Sequence, residues 1–159
     1  MQAPKIIELP EKQCIGIRIR TSLSENQTVR LWQQFKPRVR DIPHRANPNF
    51  YSIENFDTVV DFKRFSPTTL FEKWAAVEVS QMEQIPEGME ALRLPSGMYA
   101  VFIHHGPAHT YPETAQYIFG TWLPHSAYQL DDRPHFEIMT PQYLPHDPHA
   151  EEEIWIPIK

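Results

Sequence analysis

Glu137 is the residue of this chain placed best for chemistry. It stands in the string Phe136-Glu137-Ile138-Met139, where a sheet should be apolar and a carboxylate must find a partner. Residues i and i+2 of a strand share a face. Glu137 therefore goes with Met139, and Glu153 goes with Trp155 in the C-terminal string Glu153-Ile154-Trp155-Ile156. If Ile154 and Ile156 pack under helices, Glu153 and Trp155 point into a cleft. Aligning the two halves of the chain by Phe50 with Phe136 and Val77 with Ile156 places Tyr51, Ile53, Trp74 and Ala76 on the cleft side as well. The expected site is thus walled by Tyr51, Trp74 and Trp155, flanked by Ile53 and Met139, and carries the carboxylates of Glu137 and Glu153. Rings around a carboxylate suit an organic cation or a hydrogen-bond donor, through charge pairing and cation–π attraction. Glu153 has a competing reading as solvated surface, because it ends the acidic run Glu151-Glu152-Glu153.

Such a site needs a frame, and the chain reads as a repeat. Strand patterns at 15–19, 50–53 and 74–79 with a helix around 31–35 are followed by strands at 99–103, 136–139 and 153–158 with a helix around 117–119. Neither βαββ unit can bury a sheet face alone, so the two should pair about a pseudo-twofold axis. The expected fold class is α+β, an antiparallel sheet with helices on its outer face and a ligand cleft between the halves. It forms one domain over residues 1–159, with units at about 6–80 and 97–159. The first helix has a capping-box pattern, Ser24-Glu25-Asn26-Gln27, and an apolar stripe of Trp32, Phe35 and Val39. The second begins at Thr110-Tyr111-Pro112-Glu113, carries Ala115, Ile118, Phe119 and Trp122 towards the core, and stops at Pro124. Residues 80–96 read as the joining loop. Residues 55–68 read as a solvated hairpin arm bearing Asp57, Asp61, Lys63 and Arg64.

Composition removes several classes of function. At 159 residues and 41% apolar content the chain can bury one core, and its sixteen prolines fall mostly between periodic segments. A net charge of −5 without a basic cluster offers phosphates nothing, so nucleic acid is not an expected direct partner. No apolar run approaches a membrane span, and the expected location is the cytoplasm. The single cysteine, Cys14, excludes an internal disulfide and reads as a small core residue. His146-Asp147-Pro148-His149 lacks helical ligand spacing, so neither metal nor cofactor is expected. Of His104 and His105, one must face in, as a hydrogen-bonded core or rim group rather than a base.

The second half also carries a family resemblance. The strings Tyr99-Ala100-Val101-Phe102, His104, Gly106-Pro107, Ile118-Phe119, Trp122-Leu123-Pro124, Ser126, Tyr128, Asp132-Arg133-Pro134, Phe136-Glu137 and Glu153-Ile154-Trp155-Ile156-Pro157-Ile158 resemble the GyrI-like small-molecule-binding family. Its members include the effector domains of AraC-type and MerR-type multidrug-responsive regulators. The match is specific over 97–159 and only patterned over 6–80. The resemblance implies two βαββ units with a ligand cleft, Glu137 as the ligand-contacting glutamate, and Glu153 and Trp155 as further site positions. No helix-turn-helix precedes the domain, so the chain is not expected to bind DNA by itself. The first reading is a binding module for apolar or aromatic small molecules, cationic ones included. The alternatives are a hydrolase of reactive toxins that uses a cleft glutamate, and an interaction protein that modulates a larger enzyme.

Overall fold

The apolar pattern folds as an antiparallel sheet with helices on one face. The structure, a computed structural model, describes residues 3–61 and 64–159; Lys63 of the expected hairpin arm lies outside them. The strands are β1 (Lys5–Leu9), β2 (Lys12–Thr21), β3 (Phe50–Asn55), β4 (Phe71–Val79), β5 (Glu90–Leu94), β6 (Gly97–His105), β7 (His135–Met139) and β8 (Glu151–Ile158). They form one sheet in the order β1-β6-β8-β7-β3-β4-β2-β5. Helix α1 (Thr28–Phe35) passes into a 3-10 turn, Lys36–Asp41. Helix α2 (Tyr111–Tyr117) continues through a π-helical turn, Ile118–Trp122, and ends with one turn at Leu123–His125.

Each half carries one strand more than the βαββ expected. β5 lies inside the segment read as a joining loop, where a five-residue alternation between prolines is too short to stand out. The extra strands are exchanged: β1 pairs with β6 of the second half, and β5 pairs with β2 of the first. A step of 85 residues relates the first three strands of each half, carrying Ile7 to Leu92, Cys14 to Tyr99 and Ser52 to Glu137, and a step of 79 relates the fourth, carrying Val77 to Ile156. The local axis passes through the directly opposed pair Ser52 and Glu137.

That step corrects the repeat alignment. Tyr51, not Phe50, is the counterpart of Phe136, whereas Val77 does correspond to Ile156. A slip of one residue in a strand sends every side chain to the other face. Glu137 therefore does not share a face with Tyr51, Ile53, Trp74 and Trp155.

The two faces bury different cores. On one, Tyr51, Ile53, Trp74, Tyr99, Phe136 and Trp155 are buried together with no helix against them, which requires the sheet to curl over this side. Phe136 stacks between Tyr51 and Trp155, at 5.9 and 5.4 Å between ring centres, and Tyr99 meets Phe136 edge-on at 5.3 Å. Each such pair adds about 0.5–1.5 kcal/mol beyond area burial. Gly16 permits the curl, because a Cβ there would lie 2.1 Å from the Ala75 carbonyl oxygen. The other face carries the helices. Leu31, Phe35 and Val39 lie on Ile15, Ala75 and Val77, and Ile118 lies on Ala100, Phe102, Ile154 and Ile156.

Local details depart from expectation at the helix ends. No capping box forms: α1 begins at Thr28, whose N–H donates to Asn26 Oδ1 at 2.9 Å. Pro124 does not stop the second helix, because its missing N–H falls in the first turn of the closing segment, where no partner is needed. The 55–68 segment is only partly a solvated arm. Asp57 and Asp61 pair with Arg20 and Arg64, but Phe56 and Phe65 turn inward onto Phe71. Trp122 packs edge-on against Phe102 at 5.2 Å and stacks on Tyr128, so it borders the core half-buried.

Two stability outcomes follow. Trp122→Ala should cost about 2–4 kcal/mol in urea unfolding, towards the lower part of the range for deleting a core aromatic because the ring is half-buried. Gly97→Ala should cost about 1–3 kcal/mol, because the new Cβ would meet the Arg133 guanidinium at 2.5 Å. Arg133 Nη2 donates to the carbonyls of Met98 at 2.7 Å and Ile158 at 3.0 Å. An unchanged unfolding midpoint in either variant would contradict the packing described.

Candidate functional site

The two helices leave a gap over the middle of the sheet. α1 covers β2 and β4 and α2 covers β6 and β8, so the helix-bearing face of β3 and β7 between them is filled by other groups. Alternation and register bring Ser52 and Glu54 of β3, Lys73 of β4, and His135, Glu137 and Met139 of β7 onto this strip. Glu152 of β8 lies on the same face, opposite His104. Phe56 meets the His135 ring at 5.1 Å and Phe119 approaches it at 6.1 Å. Glu137 is 7% exposed.

Three carboxyl groups and one ammonium occupy the gap. Lys73 Nζ lies 3.3 Å from Glu54 Oε1, with the two side chains only 12% and 14% exposed. Burial, and then the charge of Glu54, push the Glu137 carboxyl well above the usual range against the pull of Lys73. The same causes push Glu152 up to about 7. Like charges sharing a dry site cannot all ionise. Among the described residues no hydrogen-bond donor reaches the enclosed Glu54 Oε2, and the neighbouring Glu54 side chain is a further cause of the raised Glu137 carboxyl. Burial also raises the phenols of Tyr111 and Tyr143, the latter to about 12, with the fields of Glu137 and Glu152 adding to it. His135 is pushed down to about 3 by burial and by Arg133, so its imidazole is neutral. The arrangement is a buried strip in which two carboxyl groups, Glu137 and Glu152, are held above their usual range.

Residues 2–159 match the family described as the GyrI-like small molecule binding domain. The chain belongs to this family. It is 26% identical over 155 residues to the transcriptional regulator BrlR of Pseudomonas aeruginosa, covering 97% of this chain and 54% of BrlR; the GyrI-like domain thus spans about half the length of that relative. Among solved structures, SAV2435 bound to tetraphenylphosphonium matches with a TM-score of 0.73 at 17% identity, over 99% of this chain and 94% of that one. The EcmrR C-terminal domain matches with a TM-score of 0.74 at 16% identity, over 99% and 97%. These two likenesses show the shared α+β fold.

Within this GyrI-like domain the expected site residues divide between two faces. Glu137 and Met139 lie in the gap. Tyr51, Ile53, Trp74 and Trp155 are packed in the helix-free core, at 8% exposure or less. Glu153 is on that side too and accepts a hydrogen bond from Trp155 Nε1 at 3.1 Å; in the same way Glu72 accepts one from Trp74 Nε1 at 2.6 Å. The Tyr51 hydroxyl donates to Glu78 Oε1 at 2.8 Å. The structure thus brings Glu137 and Met139 together on the helix-bearing side and does not join them to Tyr51, Ile53, Trp74, Glu153 and Trp155 on the side away from the helices. Glu54, Lys73, Glu152, Tyr111 and Tyr143 are the gap residues that pattern reading missed. Glu54 and Lys73 had a signal, since each is a charged residue two positions from an apolar or small one on a strand face that must be buried. Tyr111 and Tyr143 had none.

His104 is buried and Nδ1 lies 2.6 Å from Thr114 Oγ1, while His105 is exposed beside Glu151. Cys14 is fully buried and unpaired, and burial followed by the charge of Glu78 raises its thiol to about 12. No cluster of three or more His, Cys, Asp or Glu able to hold a metal occurs among the described residues. Among the described residues no helix is long and apolar enough to cross a membrane.

The raised carboxyls fix the sign of a pH effect. Between about pH 4.5, where unfolded glutamates ionise, and about pH 7, Glu137 and Glu152 hold protons in the folded chain that they lose in the unfolded one, while His135, neutral when folded, acts in the opposite direction below about pH 6.5. The contribution of the two carboxyls is full below that window and is lost as pH rises through it, by about 1.4 kcal/mol per proton and pH unit. Thermal unfolding followed from pH 5 to 8 should show a falling midpoint, and Glu137→Gln or Glu152→Gln should flatten the fall. Profiles of Glu137→Gln and Glu152→Gln that fall as steeply as the wild type would overturn the protonated gap.

Proposed function

We propose that the chain binds apolar aromatic cations in the gap between α1 and α2, with the Glu137 carboxylate as the polar anchor. The observation that carries this reading is a buried Glu137 beside a second carboxyl group, two residues along β7 from His135, against whose ring Phe56 and Phe119 pack. Such a group is neutral when the site is empty and becomes a counter-ion when a cation replaces its proton. The aromatic cover contributes apolar area and cation–π attraction. Family membership supports small-molecule binding, and SAV2435, a protein of the same fold, is bound to an aromatic cation.

Exchange of a proton for a cation has a defined pH signature. Tetraphenylphosphonium should bind more tightly at pH 8 than at pH 5.5 and release a proton, measurable by calorimetry in buffers of different ionisation heat. Glu137→Gln should weaken binding by about 1–3 kcal/mol, the scale for losing a charged hydrogen-bonding group at a buried site, and should abolish the proton release. Equal affinity in the variant and the wild type would sink the anchor role. Loss of affinity in Trp155→Phe at unchanged stability would return the site to the other face of the sheet.

A further inference from the structure

We infer that Lys73 sets the charge of the ligand, acting as a built-in cation that neutralises Glu54 and leaves the gap room for one further positive charge and no more. This rests on the reading of the gap as a cation site. Lys73 is on β4, and its ammonium donates to Glu54 Oε1 across the β3–β4 ladder at 3.3 Å. Both side chains are almost fully enclosed. A long cationic side chain held in a dry strip is costly unless it is paired, and Glu54 is the partner. The groups facing Lys73 are Glu54 of β3, Glu137 of β7 and Glu152 of β8, each of which acts on its charge.

The charge count then limits what can enter. With Lys73 set against Glu54, Glu137 and Glu152 are the groups left to answer an incoming ligand. Both stand on the helix-bearing face of the adjacent strands β7 and β8, where the charge of Glu152 opposes ionisation of Glu137, so release of one proton is accessible and release of two is opposed by their repulsion. A monocation exchanges for one proton. A dication would need both carboxylates ionised while Lys73 repels its second charge. Without Lys73, Glu54 becomes available as an additional counter-ion, and the enclosure should accept a second positive charge.

A matched pair of probes separates charge from shape: N-methyl-4-phenylpyridinium, with one charge, and N,N′-dimethyl-4,4′-bipyridinium, with two. Both would be titrated into the full chain at pH 6, below the value of about 7 to which Glu152 is raised, so that it too holds its proton in the empty site. The wild type should favour the monocation. Lys73→Met should shift the ratio of affinities towards the dication by about tenfold or more, as expected for removing one charge near a partly desolvated site. Lys73→Met combined with Glu54→Gln removes one charge of each sign and should return the preference to the monocation. Lys5→Met, which removes a positive charge from the exposed end of β1, should leave the ratio unchanged.

If Lys73→Met does not fold, Glu54→Gln alone leaves the ammonium uncompensated and should weaken the monocation about tenfold or more. An unchanged ratio in Lys73→Met, or a shift that the double variant fails to reverse, overturns the role of Lys73 and leaves cation binding through Glu137 standing. A wild type that takes neither probe overturns the inference, and a failure to bind tetraphenylphosphonium as well would remove the cation site itself.

Discussion

The organisation of this domain turns on burying three carboxyl groups around one ammonium. Isolated ions in a dry interior cost several kcal/mol each, so Glu54, Glu137, Glu152 and Lys73 persist there only by pairing and by retaining protons. The rest of the fold holds this strip where water is scarce. Helix α1 seals one flank, helix α2 the other, and the aromatic residues Phe56, Phe119 and Tyr111 close over the top.

The exchange of edge strands makes the arrangement indivisible. Because β1 completes the second half and β5 the first, neither half can fold with its own strands and leave the other behind. The axis passes between Ser52 and Glu137, so the most buried carboxyl group sits where the two units meet. Symmetry offers this position twice. The chain fills one copy with an acid and the other with a small hydroxyl, which is also buried. Two glutamates there would face each other across the central ladder and repel.

The aromatic face opposite serves a different purpose. Tyr51, Phe136, Trp155 and Tyr99 interlock without a helix above them, and this packing holds the sheet in its curl. Their polar tips are tied off by Glu78 and Glu153, leaving no free donor to greet a ligand. On the helix-bearing side Glu137 is covered.

The amino-acid sequence alone determined the α+β class, the duplication, both helices with their apolar stripes, the family, and Glu137 as an anomalous acid, because these are local periodicities and local strings. It also separated Ile154 and Ile156 from Glu153 and Trp155, since alternation within one strand is local too. Only the tertiary structure decided which face of one strand meets which face of another. Aligning Phe50 with Phe136 was one residue out, and in a sheet a one-residue error exchanges core for cleft. The pairing of β1 with β6, the meeting of Lys73 with Glu54, and the approach of Tyr111 and Tyr143 to Glu137 were likewise settled in three dimensions. Each joins residues far apart in the chain, and whether a charged side chain is solvated or buried depends on what those distant segments place over it.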